Sequence, residues 1–143
     1  MKDPQYIITF MSMIRSKAHN LIMSEFKKND IEGLAPSHAA ILNLLYRTGD
    51  KLKMNDIAEK IGRDKSTLTV LINKLARLKY VKRVKSKDDS RSTYIVLTQK
   101  GLDLKPIFTQ IADLMIETAF RNFTDKEKYL LMEKLDKLYN NYI

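Results

Sequence analysis

A mainly α-helical fold with one small β-hairpin is what the sequence predicts, on three observations. Glycine (4) and proline (3) are scarce among 143 residues, which leaves the chain to long elements and short turns. Apolar residues recur at helical spacing along most of its length. The period turns β-like only between Tyr80 and Thr98, where Val, Ile, Tyr and Thr flank a charged stretch. With 44% hydrophobic and 30% charged residues, the composition is that of one globular domain over residues 1–143 or one protomer of an oligomer.

The first helix is expected from about Asp3 to Lys28. Ile7, Phe10, Met11, Ile14, Ala18, Leu21 and Ile22 share one face, and Ile8, Met13, Met23 and Phe26 widen it. A helix that apolar is buried on more than one side, and in so small a chain the second side meets another subunit. After Gly33, Pro36 suits the first turn of a second helix, because its missing N–H costs nothing there. That helix carries Ala39, Ala40, Ile41, Leu44 and Leu45 and ends near Gly49. A third, short helix holds Met54, Ile57, Ala58 and Ile61 and stops at Gly62; a fourth runs from about Lys65 to Lys79, capped by Asp64. Tyr80 to Lys85 and Thr93 to Thr98 form the hairpin, with Ser86 to Ser92 at its tip. Helix resumes after Thr98 and runs to about Asn122, with a kink expected at Pro106. Thr124 and Glu127 match a capping box that opens a last helix to about Tyr142, with Leu130, Leu131, Leu135 and Leu138 along one face.

Several function classes drop out. Cysteine is absent, which removes disulfides, thiolate metal sites and thiol redox switches. His19 and His38, the two histidines, are too few for a four-ligand zinc site and read as ordinary helix residues. No glycine-rich phosphate loop or paired nucleophile is visible, so neither an enzyme nor a bound cofactor is expected. No signal peptide opens the chain and no apolar run reaches the roughly 18 residues of a membrane span; a soluble, cytoplasmic protein is expected.

Charge is more informative. The net charge is +9, from 26 basic and 17 acidic residues, yet residues 47–91 alone hold 14 basic and 6 acidic residues. Nearly all the excess therefore lies in one 45-residue stretch. That is the footprint of a polyanion-binding surface, although a merely solvated basic face has the same composition. Two short helices across a tight glycine turn, followed by a basic hairpin, spell a winged helix-turn-helix over residues 33–98. In the fourth helix Leu68, Leu71, Ile72, Leu75 and Leu78 face the core. The opposite face then shows Lys65, Ser66, Thr67, Thr69, Val70, Asn73, Lys74 and Arg77. Hydroxyls near a helix start can bond base edges or phosphates, Val70 can touch a thymine methyl, and Asn73 can pair with adenine through both amide atoms. Ser66 and Thr67 can equally serve as helix caps. At the hairpin tip, Arg91 is placed to enter a minor groove, with the Asp89 carboxylate fixing its guanidinium. Lys82, Arg83, Lys85 and Lys87 line phosphates.

These residues resemble a known family. Asp89-Ser90-Arg91, then five residues, then Leu97-Thr98 is similar to the D-x-R-x5-L-T signature of MarR-type regulators. Asp56-Ile57-Ala58 through Gly62, Lys65 to Thr69, and Thr98-Gln99-Lys100-Gly101 match its other segments in the same order. The resemblance implies a homodimeric regulator that binds an inverted-repeat operator in double-stranded DNA. Helices in residues 1–30 and 99–143 would form the dimer interface, Ser66 to Lys74 the recognition surface, and Arg91 with Asp89 the minor-groove element. It also implies a repressor relieved by a small aromatic anion, for which Arg15 and His19, one turn apart on the first helix, are the candidates. From the residues alone, the two read more readily as solvent-facing polar side chains of an amphipathic helix. A winged helix that binds protein and reads no DNA is the alternative. Three positions depart from the pattern. Lys79 stands where glycine is frequent, so a left-handed turn would cost about 1 kcal/mol and a different turn is expected. Ala35 replaces a capping Thr or Ser, which weakens that helix start, and Ser90 replaces a frequent arginine.

Overall fold

The computed structural model describes residues 2–49 and 51–142; Met1, Asp50 and Ile143, which the predicted domain spans, lie outside that description. The chain forms two compact units, one up to Ile111 and one from Ala112 onward. In the first, a 3-10 turn at Pro4–Tyr6 leads into α1 (Ile7–Lys28), followed by α2 (Pro36–Thr48), β1 (Lys51–Lys53), α3 (Met54–Ile61) and α4 (Lys65–Arg77). Then come β2 (Val81–Lys85), β3 (Thr93–Leu97), α5 (Gln99–Asp103) and α6 (Lys105–Ala119), whose last turns belong to the second unit with α7 (Asp125–Asn140).

The core of the first unit is assembled from one stripe of each helix. Ile41, Leu42 and Leu45 of α2, Ile57 of α3, and Leu68, Ile72 and Leu75 of α4 are wholly buried, as is Ile95 of β3. Leu71 and Leu78, expected in that core, lie at its margin and are half-buried. Phe26, the one buried residue of α1, packs on Phe108 of α6 with ring centroids 5.6 Å apart. Burying each such side chain stabilises the fold by about 1.5–3 kcal/mol.

Strands pair antiparallel in the order β1-β3-β2, with Val81 opposite Leu97 and Lys85 opposite Thr93. Strand β1 was not expected. It sets Leu52 opposite Ile95, so the sheet gains a third strand beyond the hairpin. A second difference concerns the helix expected from Thr98 to Asn122. It is two helices that part at Leu104, and Pro106 occupies the first turn of α6, where a missing N–H breaks no bond. The last helix begins as its capping box predicts: Thr124 Oγ1 accepts from the Glu127 N–H at 3.3 Å, and Glu127 accepts from the Thr124 N–H at 2.7 Å.

Lys79 does adopt the left-handed conformation that its side chain disfavours, with φ 66°. The turn is retained because hydrogen bonds overdetermine it. The Lys79 N–H donates to Ala76, the Tyr80 N–H to Leu75, and Thr98 Oγ1 to the Lys79 carbonyl at 2.5 Å. Three bonds of about 1 kcal/mol each exceed the strain of one residue. Ala35 has no side-chain oxygen to cap α2, and only the reciprocal half of a capping box is made: His38 Nδ1 accepts the Ala35 N–H at 2.9 Å.

His38 is 5% exposed. Burial, aided by the positive charge of Lys74, holds its imidazole below the ordinary histidine range. A protonated ring has no acceptor nitrogen, so protonation removes the bond from the Ala35 N–H. Above about pH 6.5 the ring is neutral whether the chain is folded or not. As pH falls from there toward the lower folded value, the unfolded chain binds the proton first and stability declines. Melting temperatures between pH 7.5 and 5 are expected to fall in that window. His38→Gln, which keeps an acceptor but does not titrate there, should flatten the fall; an equal fall in the variant would show that other groups cause it.

Candidate nucleic-acid interface

The third and fourth helices meet across Gly62, which has φ 65°, a backbone that costs glycine nothing. Asp64 then caps α4: its carboxylate accepts from the Thr67 N–H at 2.7 Å and from Ser66 Oγ at 2.8 Å, with Thr67 Oγ1 at 3.2 Å. Those bonds, the backbone one foremost, hold the Asp64 carboxyl below the usual carboxylate range. The Thr69 hydroxyl donates back to the Lys65 carbonyl at 2.8 Å. Ser66, Thr67 and Thr69 thus spend their hydrogens within the helix and leave oxygen lone pairs facing outward. Neither Ser66 nor Thr67 is the cap; each buttresses it.

Lys65, Ser66, Thr67, Thr69 and Asn73 are exposed, and Val70 is 67% exposed. The structure therefore brings most of the sequence-predicted face together on one side of α4. Lys74 departs from it, being half-buried and close enough to His38 to act on its protonation. Asn73 is also not independent, since its Oδ1 accepts from Arg83 Nη2 on β2 at 2.5 Å.

At the hairpin tip, Lys85, Lys87, Asp89 and Arg91 are exposed. Asp89 does not hold the Arg91 guanidinium. One carboxylate oxygen accepts the Arg91 backbone N–H at 3.0 Å, and the other accepts from Ser92 Oγ at 3.1 Å. Among the described residues no ion pair joins Asp89 to Arg91. The carboxylate shapes the tip and leaves the cation loose, a short-range preference of Asp for backbone N–H groups two residues on.

Sequence reasoning missed one contributor. A cleft of about 200 Å³ is lined by Lys53, Met54, Asn55, Lys65, Arg91, Ser92 and Thr93. Three cations from β1, α4 and the hairpin tip converge there, a geometry that suits a phosphate oxygen. The signal was the Lys51-Leu52-Lys53 alternation, too short to identify as a strand. Its lysines lie 4.3 and 5.7 Å from the Tyr94 ring centroid, within cation–π range.

Arg15 and His19 line a separate cleft of about 280 Å³ between α1, the start of α2 and the end of α3, together with Ile22, Ala40 and Ile61. Arg63 also faces it, a second guanidinium that the spacing on α1 did not reveal. The cleft is lined by apolar side chains and by two guanidinium groups.

A model of the MarR family matches residues 32–92, the segment that holds α2 through the hairpin tip. The regulator SarZ of Staphylococcus haemolyticus is 30% identical over 92 residues, 64% of this chain; the match spans 61% of that protein, less than two thirds of its length. The regulator YfiV of Bacillus subtilis is 30% identical over 116 residues, covering 81% of this chain and 70% of that one. Among solved structures, the S. aureus MepR–DNA complex has a TM-score of 0.84 at 26% identity, over 94% of this chain and 97% of that one. A shared fold over nearly the whole length, and identity sustained across more than two thirds of YfiV, place this chain in the MarR family of winged-helix transcriptional regulators.

Proposed function

We propose that the chain is a homodimeric, sequence-specific double-stranded DNA-binding regulator of transcription, acting in the cytoplasm as a repressor that a small organic anion relieves. One observation carries the DNA reading: the exposed face of α4, the three-cation cleft and the free Arg91 guanidinium all belong to the stretch that holds the chain's excess positive charge. MepR, its structural relative, has been solved with DNA bound, which supports the same use here. Asp89 contributes by fixing the shape of the tip, while Lys65, Ser66, Thr67, Thr69, Val70, Asn73 and Lys74 form or support the face presented to the major groove.

The dimer reading rests on surface that a lone chain leaves bare. Six apolar side chains between Ile7 and Ile14 of α1 are each 39–57% exposed. Soluble monomers rarely present so much contiguous apolar surface. In the second unit, Leu130, Leu131 and Met132 are also exposed. A second copy covering these helices would carry two recognition helices, about one DNA turn apart, to an inverted repeat. The Arg15, His19 and Arg63 cleft would take the anion, ring against its apolar side chains and carboxylate between the cations.

Binding to a small operator library at several salt concentrations tests the division of labour. Arg91→Ala is expected to lose tenfold or more, most on A·T-rich sites with a narrow minor groove. Lys85→Ala or Lys87→Ala should weaken every sequence alike and lower the salt slope by about one. A wild-type chain that retains heparin but selects no duplex sequence would favour the protein-interaction alternative. In the same assay, a phenolic acid such as salicylate should lower operator affinity, and Arg15→Ala should blunt that response.

A further inference from the structure

The carboxamide of Asn73 has one orientation open to it. A guanidinium carries five N–H donors and no acceptor, so only the amide oxygen can face Arg83 Nη2. The choice between oxygen and nitrogen, ambiguous for many asparagines, is settled here by chemistry. The register is fixed as well, because the Lys79 turn joins α4 directly to β2 and sets Arg83 beside the third turn of the helix. Both side chains are exposed, on the face proposed to meet DNA.

An asparagine that selects adenine uses both atoms: Oδ1 accepts from N6–H and Nδ2 donates to N7. Here Oδ1 already accepts from a cation, while the NH2 group keeps both hydrogens. One lone pair of the oxygen remains. However, the guanidinium beside it places positive potential where the adenine amino group would bring a second set of partly positive hydrogens. Guanine offers N7 and O6, two acceptors, at the same place in the groove.

We infer that Arg83 is a specificity-determining residue: by holding the Asn73 oxygen it makes Asn73 a donor, so that the pair selects guanine over adenine. This rests on the DNA reading above and deepens it. Arg83 acts through Asn73, and its other N–H groups stay available to a neighbouring phosphate.

The test is selection from a randomised inverted-repeat library by the full-length protein, followed by sequencing. Asn73→Ala identifies the operator position, as the one whose preference collapses. The wild type is expected to favour guanine there by about tenfold over adenine. Arg83→Leu should shift that position toward adenine, since the amide regains both functions, whereas Arg83→Lys, which keeps a cationic donor, should retain guanine. Asn73→Asp, an acceptor-only partner for Arg83, should move the preference toward cytosine, whose N4 amino group donates. A merely structural role for Arg83 would weaken all sequences equally and move no base preference. Guanine retained in Arg83→Leu, or adenine selected by the wild type, overturns the inference while leaving the DNA reading intact. Failure of the wild type to enrich any duplex overturns both.

Discussion

Gly101→Ala is expected to cost about 1–3 kcal/mol or more of stability, the range for overpacking a well-filled position. A Cβ there would lie 2.2 Å from the Tyr80 carbonyl oxygen and 3.1 Å from Leu97 Cδ2. Neither neighbour can retreat cheaply. The Tyr80 oxygen accepts from the Thr98 N–H at 3.1 Å. Gly101 itself donates to Thr98 Oγ1 at 3.1 Å, and its carbonyl accepts from the buried Tyr46 hydroxyl at 2.6 Å. Relief of the clash must stretch several of these bonds at once, and they tie α5 to the base of the hairpin. A melting temperature lower by several degrees, followed by circular dichroism, is the measurement. An unchanged midpoint would mean that α5 slides without cost. Helix propensity alone gives the opposite sign, since alanine is the better helix former.

The second large effect concerns the proposed dimer. Phe10→Glu on α1, or Leu130→Glu on α7, puts a charge on surface that the second copy is proposed to bury. Desolvating an unpaired carboxylate there opposes association strongly. Sedimentation is expected to show monomers where the wild type is dimeric. Operator affinity should fall by 100-fold or more, because two linked recognition units gain about 10²–10⁴ from acting together. Binding to a single half-site should change far less, which separates lost pairing from a damaged fold. A wild type that sediments as a monomer at micromolar concentration, or a dimer indifferent to both substitutions, would reject the assembly.

Much of the fold was legible because the signals are local. Periodicity placed α2, α3, α4 and the hairpin; Asp64 and Thr124 placed two helix starts; Gly62 placed the tight turn. What escaped depends on contacts distant in sequence. Lys51–Lys53 offers one apolar residue, and it is a strand only because β3 is there to pair with it. The parting of α5 from α6 leaves no polar loop to announce it, and Pro106 fits a first turn as readily as a kink. The same division runs through the site. Exposure of the α4 hydroxyls followed from helical spacing, whereas the Arg83–Asn73 bond needs the register of β2 against α4. Asp89 beside Arg91 suggested an ion pair; a carboxylate that instead takes backbone N–H groups is a matter of turn geometry at the tip. Ala35 leaves α2 without a side-chain cap as expected, while the bond from its own N–H to the histidine three residues on was not foreseen.

The loose guanidinium of Arg91 has a kinetic consequence. A tip shaped by the Asp89 bonds and carrying an untethered, five-donor side chain would separate arrival from locking. If the wing meets DNA as proposed, long-range attraction by the surrounding lysines would set how often the two meet, at a rate that falls as salt rises. In the proposed complex Arg91 would find the groove only after the tip has landed, as its side chain gives up rotational freedom. On that proposal, loss of Arg91 is expected to shorten the lifetime of the complex and leave the encounter rate nearly untouched, while loss of Lys85 or Lys87 is expected to slow the encounter itself. Residence time on an operator and speed of search along the genome would in this way be controlled by different residues of the same wing.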